Sequence, residues 1–149
     1  MSQDLAESVI TAWARLIRAQ QALLERVEAD LKAAGLPPLA WYDVLLELYR
    51  AEGGQLRQFE IGDRVLLSKY NLSRLLDRLE QEKLVRRHTC KEDRRGANVA
   101  ITAQGRTMLK KMWPVYERGI EQYFARHLST QEIAQLADLM GRLIAKERQ

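Results

Sequence analysis

The chain has 149 residues, 46% of them hydrophobic and 30% charged, with three prolines and eight glycines; this is about one domain of foldable polymer and excludes a stapled mini-protein or a bulk-disordered tail. No apolar run approaches the roughly 18 residues of a membrane span, and the start Met1-Ser2-Gln3-Asp4 lacks the basic-then-apolar pattern of a secretory signal, so a soluble, cytoplasmic protein is expected. The formal charge of +4 is unevenly spread: residues 1–56 carry 5 basic and 8 acidic side chains, residues 57–111 carry 14 and 7, and residues 112–149 carry 5 of each.

In chain order, Leu5, Val9, Ala12, Trp13, Leu16, Ala19, Leu23, Val27 and Leu31 recur at steps of three and four. The spacing predicts one long amphipathic helix over residues 4–34, stopped by Gly35 and sealed by Pro37-Pro38. A second helix is expected over 39–52, with Trp41, Val44, Leu45 and Leu48 on one stripe and Gly53-Gly54 at its end. A short third helix follows over 57–64. Ser68 has the hydroxyl of an N-cap for a fourth helix reaching Glu82, whose inward stripe is Leu72, Leu75, Leu76 and Leu79. At Leu84 the character changes to strand-like: residues 84–89 and 97–102 read as two strands joined by the polar turn 91–96, a β-hairpin with a basic tip. Thr102 can cap a fifth helix over 103–126, carrying Met108, Met112, Tyr116, Ile120 and Tyr123, with Pro114 expected to kink it. Ser129-Thr130-Gln131-Glu132 has capping-box spacing and opens a last helix with Ile133, Leu136, Met140, Leu143 and Ile144 inward.

Helices followed by a two-stranded hairpin have the order of a winged helix-turn-helix, whose second helix of the pair enters the major groove. The expected fold class is therefore mainly α with a small β-hairpin wing. The chain reads as a single domain: 37–102 is the winged helix region, and 1–36 with 103–149 form a helical dimerisation region. The first helix is too long and too apolar for so small a domain to cover, and the last helix offers a further apolar face, so a partner surface is expected.

With its leucines turned inward, the fourth helix leaves Ser68, Lys69, Tyr70, Asn71, Ser73, Arg74 and Arg78 for the other side. Arginine suits guanine, asparagine suits adenine, and serine and tyrosine suit phosphates or either base edge. The hairpin tip adds Lys91, Arg94 and Arg95 for phosphates or a narrow minor groove. Asp93 beside them reads as a brace that pairs with Arg95 and aims it. A basic middle third is the electrostatic footprint of a protein that binds double-stranded DNA. A solvated basic face, or a module that binds an acidic protein partner, carries the same charge.

The stretch from Leu67-Ser68-Lys69-Tyr70-Asn71-Leu72-Ser73-Arg74 through Leu75-Leu76-Asp77-Arg78-Leu79-Glu80, then Leu84-Val85-Arg86-Arg87, Asp93-Arg94-Arg95-Gly96, Val99-Ala100-Ile101-Thr102 and Gly105, resembles the recognition helix and wing of the MarR family of bacterial transcriptional regulators. Size and helix order extend the resemblance over nearly the whole chain. It departs at Lys83, where the family usually has the glycine that ends the recognition helix, and a left-handed lysine there costs about 1 kcal/mol relative to glycine. The resemblance implies a homodimer whose first, fifth and sixth helices interlock and hold two winged units over a pseudo-palindromic operator. It also implies a repressor released by a small-molecule effector.

Trp13, Trp41, Tyr42, Trp113 and Tyr116 are the candidate effector pocket, although aromatics at helical spacing also form plain core. Cys90, the lone cysteine, has basic neighbours that can lower a thiol pKa, yet reads as an incidental hairpin residue. With only His88 and His127 besides, no Cys/His metal site assembles at usual spacings. No glycine-rich phosphate loop, serine elbow or His-Glu metal motif is present, so neither an enzyme nor a cofactor is expected.

Overall fold

The computed structural model describes residues 4–65, 67, 69–88 and 97–145, with the side chains of Lys69 and Tyr70 outside that description. Its contacts gather into two compact units: one comprises the chain up to Ala29 and from Tyr116 onward, the other Asp30–Val115.

The Asp30–Val115 unit begins with the end of α1 (Glu7–Ala33). Gly35 takes φ +73, and Leu36 N–H donates back to Leu31 O at 2.9 Å, the left-handed stop that the sequence suggests. α2 (Leu39–Arg50) follows Pro38 and buries Leu39, Tyr42, Val44, Leu45 and Leu48. A 3-10 turn over Glu52–Gly54 leads to β1 (Gln55–Arg57) and α3 (Gln58–Arg64). α4 (Lys69–Gln81), β2 (Val85–His88), β3 (Asn98–Ile101) and the first half of α5 (Ala103–Tyr123) complete the unit. The helices and both hairpin strands lie within a few residues of their expected positions.

The sheet has three strands rather than the two expected. Its order is β1-β3-β2, antiparallel throughout, with Gln55 opposite Ala100 and Val85 opposite Ile101. β1 takes Arg57 away from the third helix, which starts at Gln58, where its N–H donates to Ala97 O at 3.0 Å. Only Leu56 of β1 is buried. The unit's core joins Leu31, Val44, Leu45, Leu48, Ile61, Leu76, Leu79, Val99 and Met112, all essentially inaccessible. Burying nine such side chains, at about 1.5–3 kcal/mol for a large aliphatic one, makes this the platform on which α4 rests.

The other unit holds most of α1, the second half of α5 and α6 (Thr130–Ile144). Within it an added Cβ at Gly119 would lie 3.3 Å from Val27 Cγ2, so α1 and α5 approach closely there. Arg26 Cζ stands 5.6 Å from the Tyr123 ring centroid, a cation–π contact. Helix α5 continues through Pro114 but ends at Tyr123, and a 3-10 turn over Ala125–His127 takes up residues the periodicity assigns to helix. The capping box of α6 is present: Ser129 N–H donates to Glu132 Oε1 at 2.8 Å, and Glu132 N–H donates to Ser129 Oγ at 3.1 Å. Yet α6 buries none of its residues, and Leu139, Leu143 and Ile144 are exposed. On α1, Leu16 and Leu23 are half-buried and Val27 buried, while Ile10, Trp13, Ile17 and Leu24 form a second apolar stripe that is exposed.

Candidate nucleic-acid interface

Leucine spacing decides which way α4 faces. Leu72, Leu76 and Leu79 are at most 2% exposed and Leu75 is 9% exposed, which anchors one side of the helix in the core. Asn71, Arg74 and Arg78 are exposed, and their spacing of three and four puts them on one stripe opposite the leucines. Ser73 is half-buried at the edge of that stripe. At 1.5 Å per residue the helix is about 20 Å long, enough to lie in a major groove about 12 Å wide. Ser68, Lys91, Asp93, Arg94, Arg95 and Cys90, and the side chains of Lys69 and Tyr70, lie outside the described residues.

Past Gln81 the chain turns under the helix. Leu84 N–H donates to Leu79 O at 2.9 Å and Lys83 N–H to Glu80 O at 2.9 Å, with Lys83 at φ +63. This is a Schellman-type stop with lysine in the left-handed position. Thr102 fastens the turn from the far side of the sheet. Its hydroxyl donates to Lys83 O at 2.7 Å and accepts from Gly105 N–H at 3.0 Å, and its own N–H donates to Leu84 O at 3.1 Å. One threonine therefore caps α5 and binds the end of α4 to the wing.

A second fastening joins α4 directly to β2, and motif reading missed it. Arg87 Nε donates to Glu80 Oε1 at 2.9 Å, Arg87 Nη2 reaches Asp77 Oδ1 at 2.6 Å and Glu80 Oε1 at 2.8 Å, and Arg87 N–H donates to Glu80 Oε2 at 3.2 Å. The side-chain and backbone hydrogen bonds from Arg87 hold the Glu80 carboxyl below the ordinary carboxylate range. Burial works against the Arg87 cation, but its bonds to Asp77 and Glu80 outweigh that and raise its pKa. The sequence does hold a signal: Asp77 and Glu80 are three apart on one flank of a helix that a short turn connects to an arginine pair.

The five candidate pocket aromatics divide between the two units. Trp41, Tyr42 and Trp113 belong to the Asp30–Val115 unit, whereas Trp13 and Tyr116 belong to the other. Tyr42 and Trp113 stack with ring centroids 6.2 Å apart, and burial pushes the Tyr42 hydroxyl pKa up. Trp13 is 65% exposed. A separate apolar cavity of about 150 Å³ lies between Leu23, Leu24 and Val27 of α1 and Tyr116, Ile120, Tyr123 and Phe124. Among the described residues no group of three or more His, Cys, Asp or Glu is placed to hold a metal ion, and no helix is long and apolar enough to cross a membrane.

This arrangement has counterparts among known proteins. Residues 34–96, the stretch that contains α2, α3, α4 and β2, match the model of the MarR family. That stretch of the chain resembles the MarR family. It is 27% identical over 139 residues to the HTH-type transcriptional regulator MhqR of Bacillus subtilis, covering 93% of each chain. Its fold matches AbsC, a MarR family transcriptional regulator from Streptomyces coelicolor, with a TM-score of 0.83 and 26% identity over 95% of both chains. It also matches Sco3205 from the same organism, solved in complex with DNA, with a TM-score of 0.86 and 24% identity over 97% of this chain and 90% of that one. Those proteins are transcriptional regulators, and this chain shares their winged-helix fold.

Proposed function

We propose that the protein is a homodimeric repressor that acts in the cytoplasm and reads a pseudo-palindromic operator with α4. The observation that carries this reading is the exposed stripe Asn71–Arg74–Arg78 set against a fully buried leucine face. Arg74 and Arg78 have the donors for guanine or phosphate, Asn71 those for adenine, and Ser73 a hydroxyl for a phosphate or base edge. Ser68, Lys69 and Tyr70 extend the contact at the helix N-terminus, where the dipole favours a phosphate. Lys91, Arg94 and Arg95 clamp backbone or minor groove from the wing tip, with Asp93 aiming Arg95.

The dimer is supported by the apolar side chains the second unit leaves uncovered. Leu5, Val9, Ile10, Trp13 and Ile17 on or beside α1, and Leu139, Leu143 and Ile144 near the end of the chain, are 41–75% exposed. Apolar area of that extent is normally covered by a partner, and a second copy gives the two-fold symmetry an inverted-repeat site requires. Two copies of α4 then stand about 34 Å apart, or a near multiple, one turn of duplex. Residues 1–36 and 103–149 serve dimerisation in this reading, and 37–102 serves DNA. A small molecule bound beside the aromatic residues, Trp13, Trp41, Tyr42, Trp113 and Tyr116 being the candidates, releases the operator.

Selection of duplexes by the purified protein from a random pool tests the reading. An enriched inverted repeat is expected, bound with a log–log salt slope near −0.9 per neutralised phosphate. Binding that ignores sequence, or prefers acidic protein to duplex, contradicts it. Sedimentation equilibrium is expected to give a dimer, and thermal shift against aromatic acids and metabolites to find a compound that also releases DNA.

A further inference from the structure

We propose that Arg87 serves DNA binding as an internal counter-ion, a positioning residue that masks the Asp77 and Glu80 carboxylates on the recognition helix without touching the duplex. The inference rests on the reading of α4 as the DNA-facing helix. Between Lys69 and Gln81 that helix carries three cations, Lys69, Arg74 and Arg78, against two anions, Asp77 and Glu80. Asp77 directly precedes Arg78 and lies one turn beyond Arg74, and its side chain is 62% exposed. A bare carboxylate in that place opposes approaching phosphates and competes with them for the neighbouring guanidinium groups.

Arg87 closes both carboxylates off. Its Nη2 bridges Asp77 and Glu80 at 2.6 and 2.8 Å, Nε adds a bond of 2.9 Å to Glu80, and the backbone N–H adds one of 3.2 Å. The Arg87 side chain is only 23% exposed and its guanidinium bonds the helix flank, so its charge is spent on these two partners. One guanidinium beside two carboxylates leaves one net negative charge in place of two, so the field that opposes the phosphates is weakened. Only a planar fork with several donors holds two carboxylates and stays ionised when half-buried, which is why lysine is a poor substitute. The same hydrogen bonds lower the Glu80 pKa, which keeps the carboxylate ionised at neutral pH.

The test uses the full chain and a duplex that the wild-type protein enriches from a random pool. Affinity is measured by fluorescence anisotropy at low and high salt for wild type, Arg87→Gln, and the charge-free triple variant Asp77→Asn/Glu80→Gln/Arg87→Gln, with thermal unfolding as the fold control. Arg87→Gln is expected to bind about tenfold more weakly at low salt, with the deficit shrinking at high salt because the unmasked repulsion is screened. The triple variant, which also lacks the cation, is expected to recover most of that affinity. Undiminished binding by Arg87→Gln overturns the proposal, and so does a triple variant as weak as Arg87→Gln, since the cation would then be contacting DNA itself. If Arg87→Gln does not fold, Asp77→Asn/Glu80→Gln with Arg87 intact decides: binding at least as tight as wild type upholds masking, and weaker binding overturns it. Failure of the wild-type protein to enrich any duplex removes the DNA reading instead, and the proposal with it.

Discussion

Replacing Gly105 by alanine sets two opposed effects against each other, and the structure supplies the numbers that decide between them. A helical glycine is up to about 1 kcal/mol worse than alanine in a helix interior, and less in a first turn, so helix propensity alone favours the substitution. Position 105, however, lies in the first turn of α5 where it crosses the end of α4. An added methyl carbon would collide with Leu84 O, lie 2.7 Å from Ile101 Cγ1 and stand 3.3 Å from Leu45 Cδ2. The nearest of these is a backbone oxygen that already accepts from Thr102 N–H at 3.1 Å, so it cannot retreat without loosening the joint between the wing and α5. Overpacking of this kind costs about 1–3 kcal/mol, which exceeds the propensity gain. At about 2–4 °C per kcal/mol for a chain of this length, Gly105→Ala is expected to lower Tm by several degrees. Urea unfolding followed by circular dichroism should show a lower midpoint at unchanged slope. Gly141→Ala is the control: it lies in α6 with nothing within 4 Å of the added carbon, so stability should hold or rise by up to about 1 kcal/mol. The reasoning fails if Gly105→Ala is as stable as wild type or behaves like Gly141→Ala.

Three further outcomes follow from the same joint. Lys83 holds φ +63, so Lys83→Gly is expected to raise the unfolding free energy by about 0.5–1 kcal/mol in urea melts; a loss would show that the lysine side chain contributes more than its backbone costs. Thr102→Val keeps the shape but removes both hydroxyl bonds and should cost about 1–2 kcal/mol, whereas Thr102→Ser should restore most of it. Glu80 has a folded pKa below its unfolded one, so its contribution is complete above the ordinary value of 4.5 and is lost as pH falls through the lowered value. Glu80→Gln should therefore cost stability at neutral pH, by less than about 1 kcal/mol because the pair is partly exposed, and the gap to wild type should close in acid. A gap that widens in acid contradicts the pairing.

The parts of the fold that follow one strong period can be read from the sequence, and the parts that depend on neighbours cannot. The leucines of α4 and the Ser129–Glu132 box of α6 are local patterns, and each appears where its spacing places it. β1 is three residues with one buried side chain, too short to carry a period, and it becomes a strand only because β3 offers it an edge. α1 has apolar residues on two faces. Its 16–23–27–31 face is the inward one, and only coordinates show that Ile10, Trp13, Ile17 and Leu24 are left exposed. The outward stripe of α4 was visible as the complement of its leucines. The Arg87 clamp was not, because it joins residues seven and ten apart across a turn whose direction is set by Lys83 and Thr102. Tyr42 and Trp113, both among the candidate aromatics, stack on one another, a pairing that residue type alone does not specify.

The outward face of α4 is tested most directly by selecting duplexes from one random pool with wild-type protein and with Arg74→Ala in parallel. Wild type should enrich an inverted repeat whose half-sites are about one helical turn, or a near multiple, apart. The variant should bind that site about 1–3 kcal/mol more weakly and lose its preference at one fixed base in each half. The same motif recovered with the same preference at every base, or no motif from either protein, would contradict the assignment of this helix as the reader.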